Sequence, residues 1–297
     1  MTPLRIITVI ILSLIAFAAN SIITRYALDQ TDIDQASFTL IRIVSGALFL
    51  WLFLAFKKNN TALKSGSWYA ALALFIYAVS FTYGYELIAA GTGALLLFGS
   101  VQITMTIVGY REGERLNKIQ IIGFILALAG LVILMLPGIS APSFLGALLM
   151  CISGIAWGIY TLQGRGSSNP ATATAGNFIK ASPMAIILWL GVYLSSSISP
   201  DFSNNTIDLA VDGVICALIS GIVASGIGYI LWYSVLPQLK ATQAAIIQLS
   251  VPVLVTLFGA LLLNETISMR VIFASITIVS GTILVLKFKQ QKAAFDK

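Results

Sequence analysis

Apolar residues in this chain come in runs of about twenty, parted by short polar joints, with neither the alternation of a half-buried strand nor the narrow stripe of a soluble helix. Ten such runs stand out, at about 5–26, 35–56, 66–87, 92–110, 117–136, 142–163, 174–196, 211–236, 241–263 and 267–288. The run from Ala241 to Leu263 carries no charge. At 1.5 Å per helical residue it reaches about 34 Å, enough for a bilayer core of about 30 Å. The pattern predicts ten membrane-crossing helices and no soluble domain. The longest joint is the polar stretch Ser197 to Asp208. The first run lacks the n-region and cleavage site of a signal peptide and is read as a helix.

Local breaks interrupt this monotony. Pro252 sits inside the ninth run and removes a helix hydrogen bond, with Gln248 one turn earlier on the same face. An amide beside a bend at membrane depth has no lipid partner, so it faces either a cavity or a neighbouring helix. Gly221, Gly226 and Gly228 fall within one run and mark a deformable helix suited to gating. Their replacement by alanine is expected to leave folding intact and slow the motion.

Composition fixes the solvent. Of 297 residues, 58% are hydrophobic and 9% charged, and the mean hydropathy is +0.96. A soluble domain carries nearer a quarter charged residues, so the surface is made for lipid. The chain has no histidine, which excludes imidazole catalysis and histidine-held metals. Cys151 and Cys216 lie in apolar runs without ligand spacing and read as small buried hydrophobes. No metal or cofactor is expected. The net charge of +6 is spread over loops, so no nucleic-acid partner is expected either.

Charge placement predicts orientation. With the N-terminus in the cytoplasm, 13 of the 17 basic residues fall on the cytoplasmic side, among them Arg5, Lys57, Lys58, Lys64, Arg111, Arg115, Arg165, Lys240 and the lysines from 287 onward. Only Arg25 and Arg270 fall outside, and Arg42 and Lys180 lie within runs. This is the positive-inside pattern. It places both termini in the cytoplasm.

The chain also repeats itself. Arg42 and Trp51 match Lys180 and Trp189 at an offset of 138. Tyr83, Thr92 and Ser100-Val101 match Tyr233, Thr242 and Ser250-Val251 at 150, and Glu114 and Gly130 match Glu265 and Gly281 at 151. Each copy holds five runs, an odd number, so the second must enter the membrane in the opposite sense. The expected architecture is an all-α integral membrane protein of ten transmembrane helices, in two inverted five-helix repeats over residues 1–138 and 139–297. Such halves can rock to open on either side of a site between them.

The segments IAWGIY at 155–160, YILWYSVL at 229–236, LSVPVLVTLFGALLLNE at 249–265 and GYREGERL at 109–116 resemble the EamA-type ten-helix members of the drug/metabolite transporter superfamily, in order and spacing across essentially the whole chain. The first repeat departs from that pattern. Ala19-Asn20 stands where a Trp-Gly pair is usual, and Gln102 where a proline is usual. The resemblance implies a bacterial inner-membrane carrier, often an exporter of amino acids or related metabolites, with a cavity lined mainly by spans three, four, eight and nine.

Read physically, the candidate cavity residues are these. Arg42, within its span, needs a partner, water or solute; it either pairs with Glu86 or snorkels, or draws an anionic group such as a carboxylate. Lys180 stands at the matching place near the other mouth, with Asn177 on its face, and either snorkels inward or draws an anionic group. Phe98 and Gln102 align with Gln248 and Pro252, giving a wall with two uncharged amides that suits a zwitterion or polar neutral solute. Trp157, Tyr160, Tyr229, Trp232, Tyr233 and Tyr83 either pack and anchor, or stack on the solute. Asn20 is expected to make a helix–helix hydrogen bond. Glu114 and Glu265 are expected to serve as turn and cap groups. The expected function is alternating-access transport of a small-molecule solute. A membrane-embedded enzyme would need a His-Asp, Asp-Asp or Ser-Lys constellation within the spans, for which only Lys180 with a serine is on offer, and a channel would need polar rings along a pore.

Overall fold

The computed structural model describes residues 2–57, 64–114, 117–135, 142–167, 169–198 and 209–287. The joint between the two expected repeats, most of the polar connection 197–208, and Lys58, Arg115, Lys289, Lys292 and Lys297 lie outside these residues. Helices account for nearly all of the described chain: α1 (Pro3–Gln30), α2 (Gln35–Phe56), α3 (Trp68–Leu87), α4 (Ala90–Arg111), α5 (Lys118–Met135), α6 (Phe144–Arg165), α7 (Pro170–Ile198), α8 (Val211–Ile219), α9 (Gly228–Val235), α10 (Ala241–Gln248), α11 (Val251–Leu262) and α12 (Met269–Lys287). A π-helical segment, Ser220–Ile227, joins α8 to α9. Eight stretches are long and apolar enough to cross a membrane, counting α8 to α9 as one and α10 to α11 as another, and α5 and α12 add shorter apolar helices. The chain is a multi-pass membrane protein.

Starts and breaks follow local chemistry. The Asp34, Ser67 and Ser143 side chains accept from the backbone N–H groups of Ser37, Ala70 and Gly146 and cap α2, α3 and α6. Pro3 opens α1, where its missing N–H costs nothing. The ninth run splits at Leu249 and Ser250, with Pro252 in the first turn of α11. Proline has no N–H for the Gln248 carbonyl, so the ladder stops there.

Contacts at helix ends define two faces of the bundle. On one, the Arg25 guanidinium in α1 reaches the Tyr85 carbonyl at 2.9 Å and the Glu265 carboxylate at 3.4 Å. On the other, Arg165 at the end of α6 meets Glu112 at 2.7 Å and Glu114 at 3.5 Å. Between these faces, α3 and α4 pack on α6, α1 packs on α9 and α11, α2 on α7, α4 on α10 and α11, and α5 on α12. Aliphatic and aromatic side chains such as Leu48, Trp51, Ile187 and Leu261 cover the outside, an area far larger than a water-facing surface tolerates.

The π-helical segment falls where the glycines predicted a deformable helix. Its backbone lies directly on α2. A Cβ added at Gly221 would sit 2.2 Å from the Ser45 hydroxyl and 2.3 Å from the Arg42 carbonyl oxygen. That contact corrects the expectation that alanine is harmless to folding at all three glycines, because a backbone atom cannot move aside like a side-chain end. Gly221→Ala is expected to cost about 1–3 kcal/mol through forced separation of helices and to lower the thermal unfolding midpoint in detergent. Gly191→Ala, on an open face of α7 with nothing within 4 Å of an added Cβ, is expected to hold or slightly raise it.

Candidate functional site

At the centre of the bundle the Arg42 guanidinium is 1% exposed. Its Nη2 donates to the phenol oxygens of Tyr77 at 3.1 Å and Tyr229 at 2.9 Å, and its Nε donates to the Ser225 hydroxyl at 3.1 Å. The Cζ atom lies over the rings of Phe81 and Tyr77, at 4.9 and 5.2 Å from their centroids. Three hydroxyls and two ring faces thus surround the cation. Of the alternatives for Arg42, the pair with Glu86 is not made, since Glu86 is exposed at the end of α3 and, among the described residues, Arg42 has no carboxylate within 4 Å.

The π-helical segment accounts for part of this geometry. Wider winding shifts the helix face by a fraction of a turn, and Ser225 and Tyr229, four residues apart across its end, both meet Arg42. Asn20 closes the shell. Its amide donates to Tyr77 Oη at 3.2 Å, and its Oδ1 accepts from the Ser220 hydroxyl at 2.6 Å. This is the helix–helix bonding expected of it.

An aromatic layer continues from there. Trp157 lies 4.7 Å from Tyr229 and 4.9 Å from Tyr77, centroid to centroid, and Phe17 meets Trp157 and Trp232 edge-on. Tyr160 lies 5.0 Å from Tyr233, whose hydroxyl donates to the Tyr160 carbonyl at 2.8 Å. The Trp157 indole N–H donates to Gln248 Oε1 at 2.6 Å, and Gln248 Nε2 bonds the Ala244 carbonyl at 3.1 Å. Gln102 and Phe98 are buried in α4, where the Gln102 amide donates to Thr106 Oγ1 at 3.3 Å and its Oε1 has no partner. Both glutamines therefore point into the protein. The Gln248 amide spends its polar atoms on a helix carbonyl and an indole.

Tyr83, Glu86 and Lys180 stand apart, whereas Asn177 lies beside Tyr160. Tyr83 is half-buried and outside the Arg42 network. Lys180 bonds the Ser65 carbonyl, and Asn177 accepts from the Ser67 N–H at 3.0 Å, so both secure the segment leading into α3. The reading missed Tyr77, whose hydroxyl is shared by Arg42, Asn20 and Tyr229. At the offset of 150, Tyr77 falls on Ile227, so no tyrosine match marks it. Its signal is the stripe Tyr77, Phe81, Tyr85 at i, i+4, i+8 on α3, all buried. Tyr83 lies off that stripe.

The turn glutamates do more than cap their own turns. Glu114 Oε1 accepts from the Ala241 N–H at 2.9 Å, and its Oε2 accepts from the Thr242 N–H at 3.2 Å and hydroxyl at 2.8 Å. It thus caps α10, in the other half of the chain. Glu265 accepts from the Ala90 N–H at 2.9 and 3.0 Å and caps α4. A carboxylate at a helix N-terminus meets free N–H groups and the positive dipole end. In each case an arginine, Arg165 or Arg25, backs the carboxylate. Each glutamate follows a left-handed residue, Gly113 at φ 91° and Asn264 at φ 53°, of the types that tolerate that region. Gly109 and Gly259 leave room beneath: a Cβ at either would lie 2.9 Å from the carboxylate.

An apolar groove of about 280 Å³ between α3 and α6, lined by Tyr69, Leu72, Ile76, Ile152, Ile155 and their neighbours, opens outward. Its aliphatic walls suit acyl chains and offer little to select a polar solute.

Comparison with known proteins agrees with this layout. The EamA-like transporter family matches residues 4–136 and again residues 144–287. An uncharacterised protein of Pseudomonas aeruginosa is 46% identical over 290 residues, covering 98% of this chain and 97% of the relative. A probable amino-acid metabolite efflux pump of Escherichia coli is 23% identical over 219 residues, covering 72% of this chain and 71% of the pump. A solved crystal structure, 16% identical, superposes with a TM-score of 0.68 over 94% of this chain and 97% of its own; at that identity the likeness speaks for the fold. The double family match spans nearly the whole sequence, and the chain belongs to the EamA-like transporter family.

Proposed function

We propose that this transporter is a secondary carrier that exports amino acids or related polar metabolites from a bacterial cytoplasm. It works by alternating access between two inverted five-helix halves, with ten spans in the inner membrane and both termini cytoplasmic. One observation carries the reading: the buried polar cluster around Arg42 is built by both halves at once. Asn20, Arg42 and Tyr77 come from the first half, and Trp157, Ser220, Ser225, Tyr229 and Gln248 from the second. A site between two halves is what a rocking carrier needs. The helix contacts also support inversion. Exchanging the halves turns α3 on α6 into α9 on α1, and α4 on α6 into α11 on α1, and all four packings occur. The named efflux pumps among the relatives support the solute class and the direction, and the lysine-rich and arginine-rich loops support the orientation.

The two glutamate clasps fit the gates of such a carrier. Glu265 ties α12's leading turn to α4 at the Arg25 face, and Glu114 ties α5's leading turn to α10 at the Arg165 face. Both are closed here, as an occluded form requires. Opening one face breaks one clasp and leaves the other.

In proteoliposomes, uptake of labelled amino acids is expected to saturate and to accelerate when the lumen is preloaded with the same compound. Steady conductance without saturation, or conversion of the compound, overturns the carrier. The clasps are checked by cysteine labelling. Thr256 lies beside Gly91 and Glu265. With the native cysteines replaced, Thr256→Cys is expected to react with an impermeant maleimide about five- to thirty-fold faster in Glu265→Ala, matching the 1–2 kcal/mol of a lost cap. Glu114→Ala is expected to leave that rate unchanged or lower it. Equal acceleration in both variants would show that the clasps do not oppose one another.

A further inference from the structure

The Arg42 guanidinium has five N–H donors, of which three are used, by Tyr77, Tyr229 and Ser225. The two on Nη1 are buried and have no partner. The four ion pairs among the described residues all lie at the two faces, with Arg25 and Arg165. Arg42 therefore carries a positive charge at membrane depth, about 10 Å along α2 from its first residue, balanced only by neutral hydroxyls and ring faces. Desolvating an ion is costly, and such charges persist where they are paired or used. A purely structural arginine would be cheaper to replace with an apolar residue of similar volume. Moreover, its surroundings hold it in place without neutralising it. Tyr77, Tyr229 and Ser225 fix the Nη2 and Nε edges, which fixes the direction of the remaining edge.

We propose that the free Nη1 edge of Arg42 is the seat for a carboxylate on the transported solute, so that the carrier selects organic acids and amino acids and rejects amines. This rests on the carrier reading above. A carboxylate is the natural complement. It is planar, accepts from guanidinium in a directed manner, and supplies the charge that the Arg42 cluster lacks. The rings of Trp157 and Phe17 next to this shell offer apolar contact to the rest of the solute. An amine of the same skeleton brings a second positive charge into a site whose hydrogen bonds already face a cation, and no acid of the Arg42 shell is there to receive it. An amino acid is tolerated because its carboxylate offsets the charge that its α-ammonium brings, which an amine cannot do.

The test uses matched triads of carboxylic acid, amino acid and amine on one carbon skeleton: 3-phenylpropionate, phenylalanine and phenethylamine, and likewise 4-methylpentanoate, leucine and isoamylamine. Thermal stabilisation of the purified wild-type protein by the acid and amino acid of at least one triad, and by no amine, is expected. That comparison needs no variant. In Arg42→Gln the stabilisation is expected to vanish, and in Arg42→Lys, which keeps the charge but not the fork, to need at least ten-fold more ligand. Stabilisation by amines, stabilisation by carboxylates that survives in Arg42→Gln, or silence of every carboxylate overturns the seat. Flux separates this from the carrier reading. Carboxylate binding without any transport leaves the seat and removes the carrier, whereas saturable transport of amines alone leaves the carrier and removes the seat.

Discussion

Lipid offers no hydrogen bonds, so every polar group in this bundle must be satisfied from within the protein. The structure follows from how that demand is met at three levels. At helix ends, capping side chains and reaching carboxylates take the free N–H groups. Along the helices, serine and threonine hydroxyls return to carbonyls one turn back, as at Ser13, Thr82 and Thr104. At the centre, one guanidinium, four phenol or serine hydroxyls and an asparagine amide bond to one another, and of the guanidinium only Nη1 is left over.

This central shell links local irregularity to side-chain placement. A regular helix through residues 220–227 would present different residues to α2. The π-helical winding, made possible by a glycine pressed on the α2 backbone, brings Ser220 to Asn20 and Ser225 to Arg42. Likewise Pro252 ends α10 just after Gln248, at the level where that amide meets the Trp157 indole. Weak points in helices and polar side chains coincide because each freed backbone group is tolerated only where protein, rather than lipid, surrounds it.

The faces of the bundle obey the same rule with charge added. Glu114 and Glu265 sit one after a glycine, the other after an asparagine, in left-handed turns, and each reaches across to a helix of the other half. The turn before Glu265 is longer by one residue: the Glu114 N–H returns to the carbonyl five residues back, at Gly109, and the Glu265 N–H to the carbonyl six back, at Gly259. That extra residue is why the repeat offset steps from 150 to 151 between the glycines and the glutamates. Two unlike turns converge on one job, which is a carboxylate at the N-terminus of a partner helix.

The sequence by itself determined the solvent, the helices, their breaks at Pro252 and among the glycines, and the pairing of the two glutamates, because hydropathy, proline and charge act over a few residues. It also named much of the central cluster: Asn20, Arg42, Trp157, Tyr160, Tyr229 and Gln248. Only the tertiary structure decided that Tyr77 rather than Tyr83 joins Arg42, that Lys180 and Asn177 hold the segment before α3, and that the glutamates cap the opposite half. In a soluble helix the polar face tells which way a residue points. Here lipid and core are equally apolar, so the rotation of each helix is set by contacts between segments far apart in the chain.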